Sequence, residues 1–419
     1  MLEVERITEE SGDGRKPHVL FIVCDCMTND VLTVPRYRKR VKFPNWFSDR
    51  SMVCNRMITS STTTTPSFGS MLTGLFPAQH GIRLLYGHRL RKGVRTLPMV
   101  LKERGYQTVA EVSGPLFTSA GLEKGFDVFD YRGREHLVTG DLMLEKRDRI
   151  VKLLSDDERP AFVMLHIWDL HDPRYKYIRN GVLNKAFNEQ LKYLTYYDDY
   201  LDTMKHVDEY LMGLLEAVPE DVVVALTGDH GEMYQTNVFE SAATYMVKVA
   251  TGNKKFMTSH GHDVNLQLLE VPFWMRWPEG PTPPVTIDRV VRNADIFPTL
   301  LEAAGVGSVP KVQAESLLPL VDGSGDSNRI AFSESGGGGT GRKDMVAFSV
   351  MDNHFQVRYY PHTKRGYEFW SVPKDKRIKA EGKAFELYKE LLDDYLMSAV
   401  KADVKGMGKE VPEDVPAAD

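Results

Sequence analysis

The stretch Thr62-Thr-Thr-Thr-Pro-Ser-Phe-Gly-Ser-Met-Leu-Thr-Gly-Leu-Phe-Pro-Ala-Gln-His-Gly-Ile-Arg83 decides how this chain is read. A hydroxyl-rich turn runs into a short helix, which ends in Thr-Gly and His-Gly turns. Such a start presents a nucleophile where free backbone N–H groups and the positive end of the helix dipole can hold an anion. Ser and Thr also serve as plain helix caps, so the segment takes its meaning from its companions.

Three strand ends and one loop supply them. His18-Val-Leu-Phe-Ile-Val-Cys24 reads as a fully buried parallel strand, with Asp25 directly after it and Asp30 five residues on. A carboxylate at the C-terminal end of a central strand lies in the crevice where open α/β sheets bind ligands. Val222-Val-Val-Ala-Leu-Thr-Gly is a second such run, and it delivers Asp229 and His230 together, followed by Gly231 and Glu232. Both are hard or borderline metal ligands. Phe162-Val-Met-Leu-His-Ile-Trp leads to Asp169-Leu-His171-Asp-Pro173, and the loop Ser259-His260-Gly-His262-Asp263 precedes a strand at Val271 to Pro278.

In order and spacing these segments resemble the sulfatase branch of the alkaline phosphatase superfamily. Asp25 to Asp30 is similar to its first metal motif, Thr64-Thr-Pro-Ser67 through His80-Gly81 to its nucleophile motif, and Gly121 to Asp127 to a family loop. Asp169 to Pro173 resembles its substrate-binding histidine turn, Asp229 to Glu232 its second metal motif, His260-Gly261 its later active-site histidine, and Asp295 to Leu300 with Ala304-Gly305 a structural signature. The resemblance implies an α/β fold: a mixed, mainly parallel sheet sandwiched by helices, with a small C-terminal subdomain of antiparallel sheet plus helix. It makes Asp25, Thr64, Asp229 and His230 ligands of one divalent metal ion (Ca, Mg, Mn or Zn) and Thr64 the nucleophile. His171 and His260 become catalytic, with Thr65, His171, His260 and His262 binding substrate. A second ion, held by Asp169, His171 and His260, is the less favoured alternative.

Departures from the family pattern bear on the substrate. Sulfatases carry a Cys or Ser that becomes formylglycine, with Pro two residues on and Arg four on; here the positions hold Thr64, Pro66 and Phe68. Threonine cannot yield that aldehyde, and the orienting arginine is absent. The family's lysine and histidine motif after the Gly-Tyr-x-Thr turn is missing as well, since Val109-Ala-Glu-Val-Ser113 follows Thr108. The chain is therefore expected to be a metal-dependent hydrolase of phosphate mono- or diesters working through a covalent Thr64 intermediate. A sulfuric ester hydrolase is the nearest alternative, followed by a phosphoryl transferase or phosphomutase and by an inactive metal-binding member.

Composition accords with a globular enzyme: 419 residues, 42% hydrophobic and 26% charged, are enough to bury a substantial core. The net charge of −5 gives no electrostatic case for nucleic acid or an anionic membrane. No apolar run reaches the ~20 residues that span a bilayer. Three cysteines do not suggest a disulfide framework, and Cys26 reads as a small buried residue rather than a ligand. The expected partner is a small anionic ester, with a homo-oligomer left open. Residues 1–17, charged and without the apolar core of a signal peptide, read as an N-terminal extension and lead to an expectation of a cytoplasmic protein. The catalytic domain is expected over 18–330, a Gly-rich linker over 331–343, the C-terminal subdomain over 344–400 and a disordered tail over 401–419.

Overall fold

The computed structural model describes residues 16–114, 116, 118–132, 141–156, 158–171, 196–233, 260–306, 312–325, 328–337 and 342–406. Residues 1–15, 172–195, 234–259, 338–341 and the end from 407 lie outside that set, and with them the expectations placed there.

The central strand is β1 (Val19–Cys24), every residue of which is buried. It pairs in parallel with β5 (Ala161–Ile167) on one side and β6 (Val223–Gly228) on the other, Val19 standing opposite both Phe162 and Val223. With β2 (Ser51–Ile58), β3 (Gln107–Ser113), β4 (Val128–Arg132), β7 (Glu270–Arg276), β8 (Val285–Ile287) and β9 (Val291–Arg292), they make one sheet in the order β4-β3-β5-β1-β6-β7-β2-β8, β9 pairing with β2. Only β7 runs against the rest. The uninterrupted apolar strands follow from burial on both faces. Val19, Phe21 and Val23 meet Phe68, Leu72, Leu97, Phe297 and Leu300 on one face, while Leu20 and Ile22 meet Ile150, Leu154, Val207 and Leu211 on the other.

After the short helices α1 (Asp30–Thr33) and α2 (Pro35–Arg38), the first face is covered by α3 (Thr64–Thr73), then α4 (Pro77–His80) and α5 (Leu97–Glu103). The opposite face takes α6 (Asp141–Leu154) and α7 (Tyr196–Leu215); α8 (Leu266–Leu269) leads into β7, and α9 (Ile296–Ala303) returns to the first face. No described helix is long and apolar enough to cross a membrane.

A second, antiparallel sheet runs β10 (Ala331–Gly336), β11 (Val346–Met351), β12 (Phe355–Tyr360), β13 (Gly366–Ser371) and β14 (Lys376–Ile378). The helix α10 (Lys383–Gly406) packs Phe385, Tyr388, Leu392 and Tyr395 onto Val350, Val357 and Phe369 of that sheet and onto Phe76 of the larger domain. Two boundaries differ from expectation. Residues 331–336 are not linker but strand, because Ser333, Glu334 and Ser335 are buried and pair along β11; the glycine run takes over only at Gly337, where φ is 68°. The helix continues past 400 to Gly406, so the tail read from 401 onward begins helical.

β10 does more than close the small sheet. Glu334 N–H donates to Ser60 O at 3.0 Å, Thr62 N–H to Glu334 O at 3.1 Å, and Ser333 Oγ to Thr59 O at 2.7 Å. The chain leading into the helix that starts at Thr64 is thus bridged to the C-terminal subdomain at Ser61 and Glu334.

Asp295 anchors the other end of the first face. Its fully buried carboxylate meets Arg292 Nη2 at 2.8 Å and Arg329 Nη1 at 2.7 Å, and accepts from the N–H groups of Arg292 and Glu315 at 3.0 Å each. Removing one partner of such a buried cluster strands the others, at a cost of about 3–5 kcal/mol. Asp295→Ala is expected to lose that much in urea denaturation; a loss below about 1 kcal/mol would show that the two arginines find water or other acceptors.

Candidate active site

The loops at the C-terminal ends of β1, β5 and β6 meet the start of α3. Asp25, fully buried, leaves β1 with its N–H donating to Ile167 O at 2.8 Å. Thr63 caps α3 in extended geometry (φ −140°, ψ 148°), which makes Thr64 the first helical residue. Thr64 Oγ1 donates to Asp25 Oδ2 at 3.2 Å and lies 3.4 Å from His230 Nε2. His230 Nδ1 is 2.9 Å from Gly231 O, so that nitrogen donates to the carbonyl and Nε2 is left to face the threonine. Asp229 is pinned through Oδ1, which accepts from Cys26 N at 3.1 Å and His230 N at 2.8 Å. Its carbonyl accepts from Thr59 Oγ1 at 2.7 Å and Ser67 Oγ at 2.6 Å, tying the strand end to the helix.

Asp25 Oδ1 and Asp229 Oδ2 are buried without a hydrogen-bond partner, and oxygens of the two residues, with a His166 nitrogen, lie within 4.8 Å of one another. Burial and the neighbouring Asp25 raise the Asp229 carboxyl above its ordinary range. Burial pushes Asp25 the same way, but His166 Nε2 at 3.4 Å, together with His171 and His230, outweighs it and holds Asp25 low. Two dry carboxylates facing each other are costly unless a cation is shared between them. The donor set, two carboxylates, an imidazole and a hydroxyl, fits a hard or borderline divalent ion.

A second group adjoins the first. His171, just past β5, stacks on Trp168 with ring centroids 4.7 Å apart and meets His260 edge-on at 4.8 Å. His260 in turn tilts over His230 at 4.3 Å. Glu232 Oε2 accepts from His260 Nδ1 at 2.8 Å. Burial pulls His171 down to about 4, whereas at His260 the Glu232 carboxylate outweighs burial and raises the imidazole. Cys26 Sγ reaches into this group, 3.6 Å from both Glu232 Oε2 and His260 Nδ1.

Asp25, Thr64, Asp229, His230, His171 and His260 therefore come together. The other expected residues stand apart. Thr65 Oγ1 donates to Leu85 O at 3.2 Å, and His262 Nδ1 is 3.2 Å from the His260 carbonyl. Asp169 is buried at the end of β5, but the group that contains His171 and His260 takes Cys26 as its third member. Three participants carry no role in the sequence reading: His166, a lone polar residue inside an apolar strand; Glu232, three residues after Asp229; and Cys26. Phe68, at the position where sulfatases carry arginine, packs edge-on against His166 at 4.9 Å.

α3 is also held from behind. His80 is fully buried, its Nδ1 accepting from Ile82 N at 3.1 Å and its Nε2 lying 3.1 Å from Ser70 Oγ; a Cβ on Gly69 would come within 2.6 Å of its ring. Burial lowers His80 to about 3, against about 6.5 in an unfolded chain. Between those values the unfolded chain takes up a proton that the folded chain refuses, so stability rises with pH, by up to about 1.4 kcal/mol per unit. Acidification from pH 6.5 to 5 is expected to lower the urea midpoint, and a His80→Gln variant to show a shallower pH dependence over that window. Parallel curves would remove His80 from this role.

The mainly parallel sheet covered by helices on both faces, the polar cluster at the C-terminal strand ends and the small antiparallel subdomain define an alkaline-phosphatase-like protein. The sulfatase family profile matches residues 17–306, and the profile of the N-sulphoglucosamine sulphohydrolase C-terminal region matches 255–378. The chain belongs to the sulfatase family. A curated relative, N-acetylglucosamine-6-O-sulfatase of Bacteroides thetaiotaomicron, is 26% identical over 222 residues, 48% of this chain and 36% of the relative, so the match spans about a third of that protein. Among solved structures, a 2-O GAG sulfatase superposes with a TM-score of 0.68 at 18% identity, covering 95% of each chain. The phosphonate monoester hydrolase of Agrobacterium radiobacter gives 0.65 at 15% identity over 92% of this chain and 96% of that one. At these identities the likeness is one of fold.

Proposed function

We propose that the protein is a metal-dependent hydrolase of phosphate or phosphonate esters in which Thr64 is the nucleophile. The observation that carries this reading is the Thr64 hydroxyl at the first turn of α3, 3.2 Å from Asp25 Oδ2 and 3.4 Å from His230 Nε2. Asp25, Asp229, His230 and Thr64 would hold the divalent cation, which when bound supplies neutralisation of charge on the phosphoryl oxygens and lowers the cost of ionising the alcohol.

Thr64 Oγ1 gives its proton toward Asp25 Oδ2 and forms a bond to phosphorus. The ester P–O bond breaks, and the departing oxygen takes a proton from the His171–His260 pair. Glu232 holds the His260 ring at Nδ1, so its orientation is fixed before substrate arrives. Water then attacks the phosphothreonine and passes a proton to the same pair as the P–O bond to Thr64 breaks, and the proton held at Asp25 returns to Thr64 Oγ1 and restores its hydroxyl. Phosphoryl transfer asks chiefly for charge neutralisation and in-line positioning, which a helix start and buried carboxylates around a cation supply.

A sulfate ester is the second reading, favoured by the sulfatases among the relatives. Against it stand Thr64, which cannot become formylglycine, and Phe68, which removes the arginine. Release of p-nitrophenol from aryl phosphate, aryl phosphonate, aryl phosphodiester and aryl sulfate, with the metal varied, tests the choice. A phosphorus ester is expected to be preferred over the sulfate by at least about 100-fold in kcat/KM, a difference of about 2.7 kcal/mol in transition-state binding; a preference for sulfate overturns it.

A further inference from the structure

Cys26 stands in a backbone conformation that side chains seldom adopt, with φ at 60°. Its N–H is committed to Asp229 Oδ1 at 3.1 Å and its carbonyl accepts from Tyr200 Oη at 3.0 Å. With the backbone held at both ends, the thiol belongs to the core beside β1 while its sulfur lies 3.6 Å from both His260 Nδ1 and Glu232 Oε2 and 3.9 Å from His230 Nδ1. A packing role alone would not need that strain, which costs about 1–3 kcal/mol.

We propose that Cys26, His171 and His260, completed by the Glu232 carboxylate, form a second cation site that selects a thiophilic divalent ion of the zinc type. Ligand atoms of the first three lie within 4.8 Å of one another. Zn–S of about 2.3 Å and Zn–N of about 2.0–2.1 Å at a tetrahedral angle place the two ligand atoms about 3.6 Å apart; Cys26 Sγ and His260 Nδ1 are 3.6 Å apart. Glu232 points independently to a cation, since it is 1% exposed and its Oε1 is buried with no hydrogen-bond partner, while Oε2 is 3.6 Å from the same sulfur. His171 Nδ1 is buried and unpartnered too. Thiolate with imidazole favours zinc over magnesium or calcium, whereas the oxygen-rich group around Asp25 and Asp229 does not discriminate in that way.

Binding is a proton exchange without redox change. The thiol proton and the proton shared by His260 Nδ1 and Glu232 Oε2 leave as the metal–sulfur and metal–nitrogen bonds form. The inference shares His171 and His260 with the proposed hydrolytic mechanism, and an imidazole that ligates a cation cannot carry a proton, so zinc occupancy and histidine acid–base chemistry at this site are alternatives.

Cobalt(II) added to chelator-stripped full-length protein, without substrate, is the test. Two equivalents are expected to bind, one of them with a near-ultraviolet thiolate-to-cobalt charge-transfer band that zinc abolishes. Cys26→Ser and His171→Ala should each bind one equivalent and lack the band, and Asp229→Asn should keep it. Absence of the band in the parent protein overturns the site. A band that survives His171→Ala and disappears in Asp229→Asn overturns it as well, by assigning Cys26 to the ion beside Asp25. Because the band is read without turnover, a failure of ester hydrolysis leaves this result standing, and hydrolysis without the band refutes this site alone.

Discussion

Thr64→Val is expected to lower kcat for an aryl phosphate by about 10⁴-fold or more, because the substitution keeps the branched shape and deletes the attacking oxygen. Thr64 is buried at the first turn of α3, where valine fits the backbone and costs only a few tenths of a kcal/mol in helix propensity. A stability loss therefore cannot account for the effect, and circular dichroism with a urea midpoint within about 1 kcal/mol of the parent would establish that. Thr64→Ser keeps the oxygen beside Asp25 Oδ2 and His230 Nε2, and should retain most of the activity. Steady-state kinetics on both variants decides the matter. If Thr64→Val turns over within tenfold of the parent, water is the attacking group and Thr64 is only a cation ligand or a cap.

Asp229→Asn is expected to act on metal affinity and on stability in opposite directions. The amide oxygen can still accept from Cys26 N and His230 N, so the turn persists, but the formal charge facing Asp25 is gone. Loss of a charged ligand should weaken divalent-ion binding by well over 100-fold, since even changes one shell further out typically cost 10–100-fold. In the absence of metal the same change should raise the melting temperature, because the parent buries two partnerless carboxylate oxygens at close range and burial already drives the Asp229 carboxyl up. Adding the divalent ion at 100 times its dissociation constant should stabilise the parent by about 2.7 kcal/mol and the variant hardly at all. Calorimetric titration and thermal unfolding with and without chelator read both quantities. A metal-free variant less stable than the metal-free parent would mean that the Asp229 carboxylate is stabilised by its surroundings and needs no cation.

The site was legible in the sequence where chemistry sits at the ends of elements. A strand buried on both faces must be apolar throughout, so Asp25 and Asp229 stand out at the point where β1 and β6 stop, and a Thr-Thr-Pro-Ser helix start beside them reads as an anion-binding nucleophile. His166 carries no signal in the sequence, because it lies within β5, where one polar residue in an apolar run passes for a satisfied core histidine; the parallel register, His166 opposite Val23, sets it next to Asp25. Cys26 reads as a small buried residue because nothing in the sequence announces its φ of 60° or the place of its sulfur, 3.6 Å from His260 Nδ1. β10 was hidden by the glycines that follow it, since its stabilisation comes from β11 and from the backbone of Thr59 to Thr62, contacts distant in sequence. Arg83 pairs with Glu334 at 2.8 Å and so braces the same turn from across the sheet boundary.

The most direct measurement is to quench the protein in acid during steady turnover of p-nitrophenyl phosphate and map its peptides by mass spectrometry. One phosphoryl group on Thr64, absent from Thr64→Val and lost once the substrate is exhausted, is the expected result. Undiminished turnover with Thr64 unmodified in rapid-quench samples, or a phosphoryl group carried instead by Ser67 or a histidine, would contradict a threonine nucleophile at the head of α3.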